Sequence, residues 1–567
     1  MEMSATIGGK DIEKESMLQE MTVVDIYIGI FFDGTNNNKV QAAIGRRFRQ
    51  ESKVNAKGFA YVDQQSQEQL LQDDRKRYAI SSKSKDEAEN REVAEILDDK
   101  VSDEVYGKYR NSNSQNVSYT NVAILESFYK TDATHYSLYV EGSGSDMDFD
   151  STGADFIGLA LGAGDNGVVA KVGKALDFIS NFILSSKPNG QKYRLHFDVF
   201  GFSRGATAAR IFNYIVYSDK IAQKSGNEEL KKNSDSFVKK LQPEKDIESK
   251  EVEYLGIFDT VGSVGVVHSD NVAQYGLWAT DMCRRVVHLC GMDELRKNFA
   301  IIDIESSVHS NGLELFLPGC HTDIGGGISM GRDEPAIINK VDFAGVKIVS
   351  QKVKNTMLTP MNFFLRENED NTRQNLRFIC VDPANPDTQQ PVTVDTLIEM
   401  GWIDEDKQVD EFNESLAGNL GNYYTEGTFN ISMFRHVQYG YSNVSLALMV
   451  EDAVKERCDM FNFRTELFPI PTDNIVEEVY NKAKTQMQSG RSGRIAISPS
   501  DYAHLRRKYL HYSANERLAT LSSNQWLVNA PYVYNSEDQD EQSILTRLVY
   551  QGIFSEQPVV TTLIDLL

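Results

Sequence analysis

The sequence predicts an α/β protein: a mostly parallel β-sheet with helices on both faces. Three observations carry this expectation. Five short apolar runs, rich in β-branched and aromatic residues, alternate with segments of helical period. Each run stops at a polar or glycine-rich turn. In one of them, RLHFDVFGFSRGATAARIFNYIV over 194–216, apolar alternation passes through Gly-Phe-Ser-Arg-Gly directly into an alanine-rich helical segment.

The elements follow in order. Residues 1–20 are polar and acidic and read as a tail, without the basic start and apolar core of a secretory signal. Val23 to Phe32 is almost wholly apolar and reads as a strand buried on both faces, ended by Asp33-Gly34-Thr35-Asn36-Asn37-Asn38. Residues 39–131 are rich in Lys, Arg, Glu, Gln and Ser and read as a charged insertion. THYSLYVEGSGS (134–145) is a second strand. The apolar stretch DFIGLALGAGDNGVVAKVGKALDFISNFIL, interrupted by Asp165 and Asn166, reads as a buried helical region, with a lipid-facing lid as the alternative. KYRLHFDVF (192–200) is the third strand, and 219–250 is charged. EVEYLGIFDTVGSVG is the fourth, ending at Asp259. RRVVHLCGMDELRKNF reads as helical, and NGLELFLPGCHTDIGGG as a fifth strand leading into a glycine-rich loop. The catalytic domain is thus expected over 21–345. A mainly helical C-terminal region, 346–567, is expected to serve as cap, membrane contact or carrier contact.

Composition removes several classes. With 41% hydrophobic and 25% charged residues the chain is globular rather than disordered. A net charge of −23 argues against a nucleic-acid-binding face and leaves only local, peripheral contact with an anionic membrane. Five scattered cysteines contain no CxxC pair, so neither a disulfide framework nor a zinc site is expected, and no cofactor motif is present.

In a parallel sheet, ligands bind outside the carboxyl ends of the strands, and every polar turn above lies at such an end. Ser203 sits where a strand-to-helix elbow would expose its hydroxyl, with Gly201 and Gly205 small enough to flank it. The bland alternative, a glycine-rich turn, accounts for the glycines but not for the strand–elbow–helix context. A serine nucleophile needs a base and an orienting acid. Asp259, directly after an apolar strand, is placed to orient; the alternative is a turn-forming aspartate. His321, just past the fifth strand, is the candidate base, with His511 in reserve. The order Ser203, Asp259, His321 is that of α/β-hydrolases. The backbone N–H groups of Arg204 and Gly34 are the candidate oxyanion donors. Asp33 would order the Gly34 loop, with a metal role alongside Asp323 as the alternative. Arg204 and Arg210 read as structural ion pairs around the elbow or as guides for a lipid phosphate.

Together FFDGTNNN, GFSRGATAAR, FDTVGSVG and PGCHTDIGGG, in this order, resemble the α/β-hydrolase domain of the first family of type VI secretion lipase effectors. The resemblance covers about residues 22–330; beyond it only YLHYSA and VNAPY look familiar. It implies an α/β-hydrolase-like sheet and a serine phospholipase cleaving acyl esters of membrane glycerophospholipids. The family's catalytic serine, acid and histidine fall on Ser203, Asp259 and His321. It further implies synthesis in the bacterial cytoplasm without a signal peptide, delivery into the periplasm of rival bacteria, a spike or tail carrier protein and a cognate immunity protein. The insertion at 39–131 departs from the family pattern, as does the lack of any spike-like domain. Alternatives are a cytoplasmic carboxylesterase or lysophospholipase with the same triad, and a catalytically silent hydrolase-fold binding module.

Overall fold

Ten almost wholly apolar residues at Val23–Phe32 (β1) form an interior strand of a seven-stranded, all-parallel sheet. The computed structural model describes residues 23–35, 37–39, 42, 119–144, 167–188, 191–221, 235, 246–262, 272–296, 298–327, 356–366, 378–391, 394–402, 428–438, 440–513, 533–534, 543–555 and 559–563. The sheet joins β1 with His135–Val140 (β2), Lys192–Phe202 (β3), Asp246–Phe258 (β4), Arg285–Gly291 (β5), Gly312–Leu317 (β7) and the short Gly493–Arg494 (β8). Across the sheet their order is β2-β1-β3-β4-β5-β7-β8. A two-residue strand, Ile301–Ile302 (β6), lies outside it and pairs with Leu548–Tyr550 (β9), which pairs in turn with Val560–Thr562 (β10). The chain runs outward from β1 to β2, then crosses to β3 and continues the other way. β1 is second from one edge, the strand order reverses between β1 and β3, and the crevice at such a reversal is where parallel sheets bind ligands.

Alternation sorts the strand side chains between two apolar layers. Ile26, Ile28, Ile30, Leu195, Phe197, Val199, Leu255 and Ile257 pack on one face. There Val168–Phe178 (α2) and Arg204–Val216 (α3) cover them. Phe31, Phe200, Phe202, Tyr254 and Phe258 point the other way, toward Asn121–Phe128 (α1), Asn443–Glu456 (α5) and Asn474–Gln488 (α6). The C-terminal half thus forms one face of the core. Its helix α5 comes so close to β4 that a Cβ on Gly256 would lie 2.8 Å from Met449 Sδ.

Three expectations need correction. The segment read as helical around His288 is strand β5. Its Val-Val-His-Leu-Cys run is buried on both faces, and an apolar run of that length has no periodicity to separate strand from helix. The charged insertion does not reach residue 131, because α1 is buried at all eight positions and bonded into the core, Asn121 Nδ2 donating to Ile324 O at 2.9 Å. The C-terminal half also supplies more strand than a helical region would: β8, β9, β10 and an antiparallel pair of Thr356–Arg366 with Thr428–Gln438. The tail 1–20, most of 39–131 and residues 155–166 lie outside the described residues. Where the apolar stretch is described, from 167 on, it is helical, with Val172, Ala175 and Ile179 in the core. Among the described residues no helix is long and apolar enough to cross a membrane.

Candidate active site

Ser203 is the residue between β3 and α3, with φ 58° and ψ −125°. A side chain rarely adopts that backbone conformation, which costs on the order of 1–3 kcal/mol and persists only when the surroundings force it. Here they do. A Cβ on Gly201 would lie 2.4 Å from Gly205 O, and one on Gly205 would lie 2.2 Å from Phe32 O. Two glycines let strand, elbow and the end of β1 meet with no room left between them. Among the described residues only one other non-glycine has positive φ, and it is Asp259, at 44°. Both strained positions are strand ends, on neighbouring strands: the Ser203 N–H donates to Phe258 O at 3.0 Å.

Asp259 is fully buried, and its carboxylate is saturated. Oδ2 accepts from His321 Nδ1 at 2.5 Å and from Arg547 Nη2 at 2.7 Å; Oδ1 accepts from Arg547 Nη1 at 2.8 Å and from the Gly291 N–H at 2.9 Å. Burial works against the charge. The Arg547 guanidinium and the imidazole outweigh it and hold the carboxyl well below the usual range. His321 opens the short helix His321–Gly325 (α4) that follows β7. Burial lowers its pKa, against the opposing pull of Asp259, so the ring is neutral near pH 7. With Nδ1–H given to Asp259, its Nε2 is the nitrogen available as a base. The ring packs on Phe202, the residue before Ser203, with centroids 4.5 Å apart. Its backbone N–H reaches Glu294 Oε2 at 3.3 Å.

The oxyanion side departs from expectation at one residue. The Gly34 loop does lie against the elbow, since a Cβ on Gly34 would sit 2.7 Å from Phe202 Cδ1. But the Gly34 N–H donates to Asp33 Oδ1 at 2.7 Å, which takes it away from a substrate oxygen. Asp33 orders the loop as anticipated, also accepting from Tyr139 Oη at 2.5 Å, and burial pushes its carboxyl up to about 6. The next N–H, that of Thr35, and the N–H of Arg204 at the start of α3 have no acceptor among the described residues.

The remaining candidates fall elsewhere. Asp323 does not join Asp33: its carboxylate accepts from the Cys320 N–H at 2.9 Å and from His511 Nδ1 at 2.5 Å, capping α4. His511, the reserve base, is thus engaged with Asp323 rather than with Asp259. Arg210 forms no ion pair but donates to three carbonyls, Leu277 O, Ile302 O and Asp303 O. His288 is buried beneath the site. It accepts from the Thr260 N–H at Nε2 and meets Glu314 at Nδ1, 2.7 Å. Although His288, Cys290 and Glu314 could converge within 4.8 Å, both ring nitrogens are thereby spent, which suits a structural role rather than metal ligation.

Arg547 was not legible in SILTRLVYQG. A lone arginine beside a short apolar strand carries no signal of its partner. Pairing of β9 with β6 is what brings it to Asp259.

Fold and site define a parallel α/β protein with a strained serine at a strand-to-helix elbow and a buried Asp–His pair beside it. Residues 212–342 match the family model described as "T6SS, Phospholipase effector Tle1-like, catalytic domain". That segment begins just beyond Ser203 and contains both Asp259 and His321. No curated protein matches the chain. Among solved structures, the chain is similar to "Structure of the Tle1 effector bound to the VgrG spike from the Type 6 secretion system", at 20% identity and TM-score 0.47, over 92% of this chain and 94% of that one. It is also similar to an uncharacterized protein from Pseudomonas aeruginosa, at 13% identity and TM-score 0.30, over 85% of this chain and 53% of that one.

Proposed function

We propose that the chain is a serine phospholipase that cleaves acyl esters of membrane glycerophospholipids, acting as a type VI secretion effector against other bacteria. The observation that carries the chemistry is the 2.5 Å Asp259–His321 bond, beside a serine held at positive φ on the adjacent strand end. The match of 212–342 to a phospholipase effector catalytic domain supports the substrate class.

In this reading, His321 Nε2 takes the Ser203 proton as Oγ attacks the ester carbonyl. The Arg204 and Thr35 N–H groups, which have no acceptor among the described residues, hold the oxygen that gains charge. Asp259 fixes the His321 tautomer and stabilises the imidazolium, which then gives its proton to the departing glycerol oxygen. Water, deprotonated by His321, cleaves the acyl-enzyme and restores Ser203. No metal or cofactor takes part. The family resemblance supports the rest of the reading: a spike or tail carrier for delivery, the periplasm of a rival as the destination, and an immunity protein in the producer.

The test is acyl release from mixed phospholipid vesicles, wild type against Ser203→Ala, with products resolved by mass. Lysophospholipid and fatty acid from the wild type alone support the proposal. Equal release by both proteins removes Ser203 from the mechanism. Turnover of short-chain neutral esters without release from phospholipid moves the substrate to soluble esters.

A further inference from the structure

Three arginines are fully buried among the described residues, and each is answered. Arg210 donates to three carbonyls, Arg506 to Asp293 and Asp382, and Arg547 to Asp259. Arg204 is different. It makes no hydrogen bond or ion pair through its side chain among the described residues, and its Nη1 is sealed from solvent without a partner. The residue as a whole is only partly buried, so water still reaches the rest of its side chain, but a sealed N–H with nothing to meet it is costly. This one is also the first residue of α3, where the helix dipole disfavours a cation. Burial lowers its pKa to about 10, which still leaves it cationic near neutral pH. Two unfavourable terms therefore converge on the residue next to Ser203, and no contact among the described residues offsets them. An anion arriving from outside would offset both, since a guanidinium binds a phosphate through paired N–H groups.

We propose that Arg204 is the phosphate-recognition residue of the site, its guanidinium receiving the phosphodiester of the glycerophospholipid whose acyl ester Ser203 attacks. The proposal rests on the phospholipase reading above. In such a lipid the phosphodiester lies only a few bonds from the ester carbonyl, within the reach of a side chain that begins one residue from the nucleophile. Neutral glycerides would lack the group that satisfies Arg204, so the residue sets a preference for phosphate-bearing lipids.

Binding, measured without turnover, tests this. Three probes are titrated calorimetrically into the full chain: a short-chain monomeric dialkyl-ether glycerophosphocholine, the matching dialkylglycerol, and inorganic phosphate. Wild type is expected to bind the phosphocholine ether at least about tenfold more tightly than the dialkylglycerol, as one charge-assisted contact warrants. Arg204→Met should erase the difference, and Arg204→Lys should keep part of it. Because the cation is unpaired, the Tm of unliganded Arg204→Met should equal or exceed that of wild type, whereas a structural role would lower it. An undiminished preference in Arg204→Met overturns the proposal. So does a fall in Tm with the preference unchanged, or inorganic phosphate binding as tightly as the ether lipid, which would make this a general anion site. Acyl release from the diacyl counterpart is followed in parallel. Release without Arg204-dependent binding leaves the phospholipase reading standing and removes this one. Arg204-dependent binding without release leaves the phosphate contact standing and removes the phospholipase reading, and with it attack by Ser203 on the same lipid.

Discussion

Among the described residues, two buried histidine–aspartate pairs each take one member from the short helix α4. His321 Nδ1 lies 2.5 Å from Asp259, and His511 Nδ1 lies 2.5 Å from Asp323. By distance and burial alone they are equivalent. They differ in what surrounds each aspartate. Asp259 stands at positive φ on a strand end, is gripped by Arg547 and faces the elbow. Asp323 lies inside α4, and its carboxylate is spent on the Cys320 and His511 N–H groups that fasten the helix end. His511 Nε2 is buried without a hydrogen-bond partner. The difference teaches that a hydrogen-bonded His–Asp pair is not itself a sign of catalysis. In the proposed reading, the strain and the serine beside it are what separate the pair at Asp259 from the pair at Asp323.

Substitutions can break that distinction. The largest expected effect is Ser203→Ala, which should lower phospholipid acyl release by roughly 10⁴-fold or more, since a triad loses nearly all its advantage with any member. Asp259→Asn should cost about 10⁴-fold with the fold intact, as expected where an aspartate sets the histidine tautomer. His511→Ala, read in the same assay, should cost less than about tenfold and act through the seating of α4. A loss equal to that of His321→Ala at unchanged KM would exchange the roles assigned to the two pairs.

The pH profile sharpens the comparison further. The base must be neutral, and burial lowers the pKa of His321. The acid limb of kcat/KM should therefore fall below the ordinary histidine value of about 6.5, with activity lost as pH drops through it. Removing Arg547 unmasks the charge of Asp259, which favours the imidazolium. Arg547→Met should thus move the acid limb to higher pH, while Arg547→Lys should move it less. A limb that does not shift would reduce Arg547 to packing. Smallest of all is the stability effect of Ser203→Gly, a gain of about 1 kcal/mol from releasing the positive-φ strain. Denaturant unfolding measures it.

What could be read from the sequence was local. Largely apolar runs closed by turn residues marked β1, β2, β3, β4 and β7, because both sheet faces are covered. The Gly-x-Ser-x-Gly elbow and the aspartate and histidine at the next strand ends were legible because chain order places them along one sheet edge. The rest depended on distant contacts. Strand β5 carries the same kind of apolar run as a buried helix. Helix α1 was hidden at the end of a charged stretch. The Gly34 N–H was open as a donor until the Asp33 carboxylate, which could have turned elsewhere, was seen to claim it. Arg547 had no local mark at all.

That last residue bears on when the site comes into being. Asp259 and the guanidinium that grips it are 288 positions apart in the chain. A ribosome adding roughly 5–20 residues per second needs about 15–60 s to cover that distance. By then Ser203, Asp259 and His321 have all left the exit tunnel, but the acid still lacks its clamp. The newborn polypeptide therefore passes through an interval in which Ser203, Asp259 and His321 have all been made but Asp259 has no guanidinium to balance its charge.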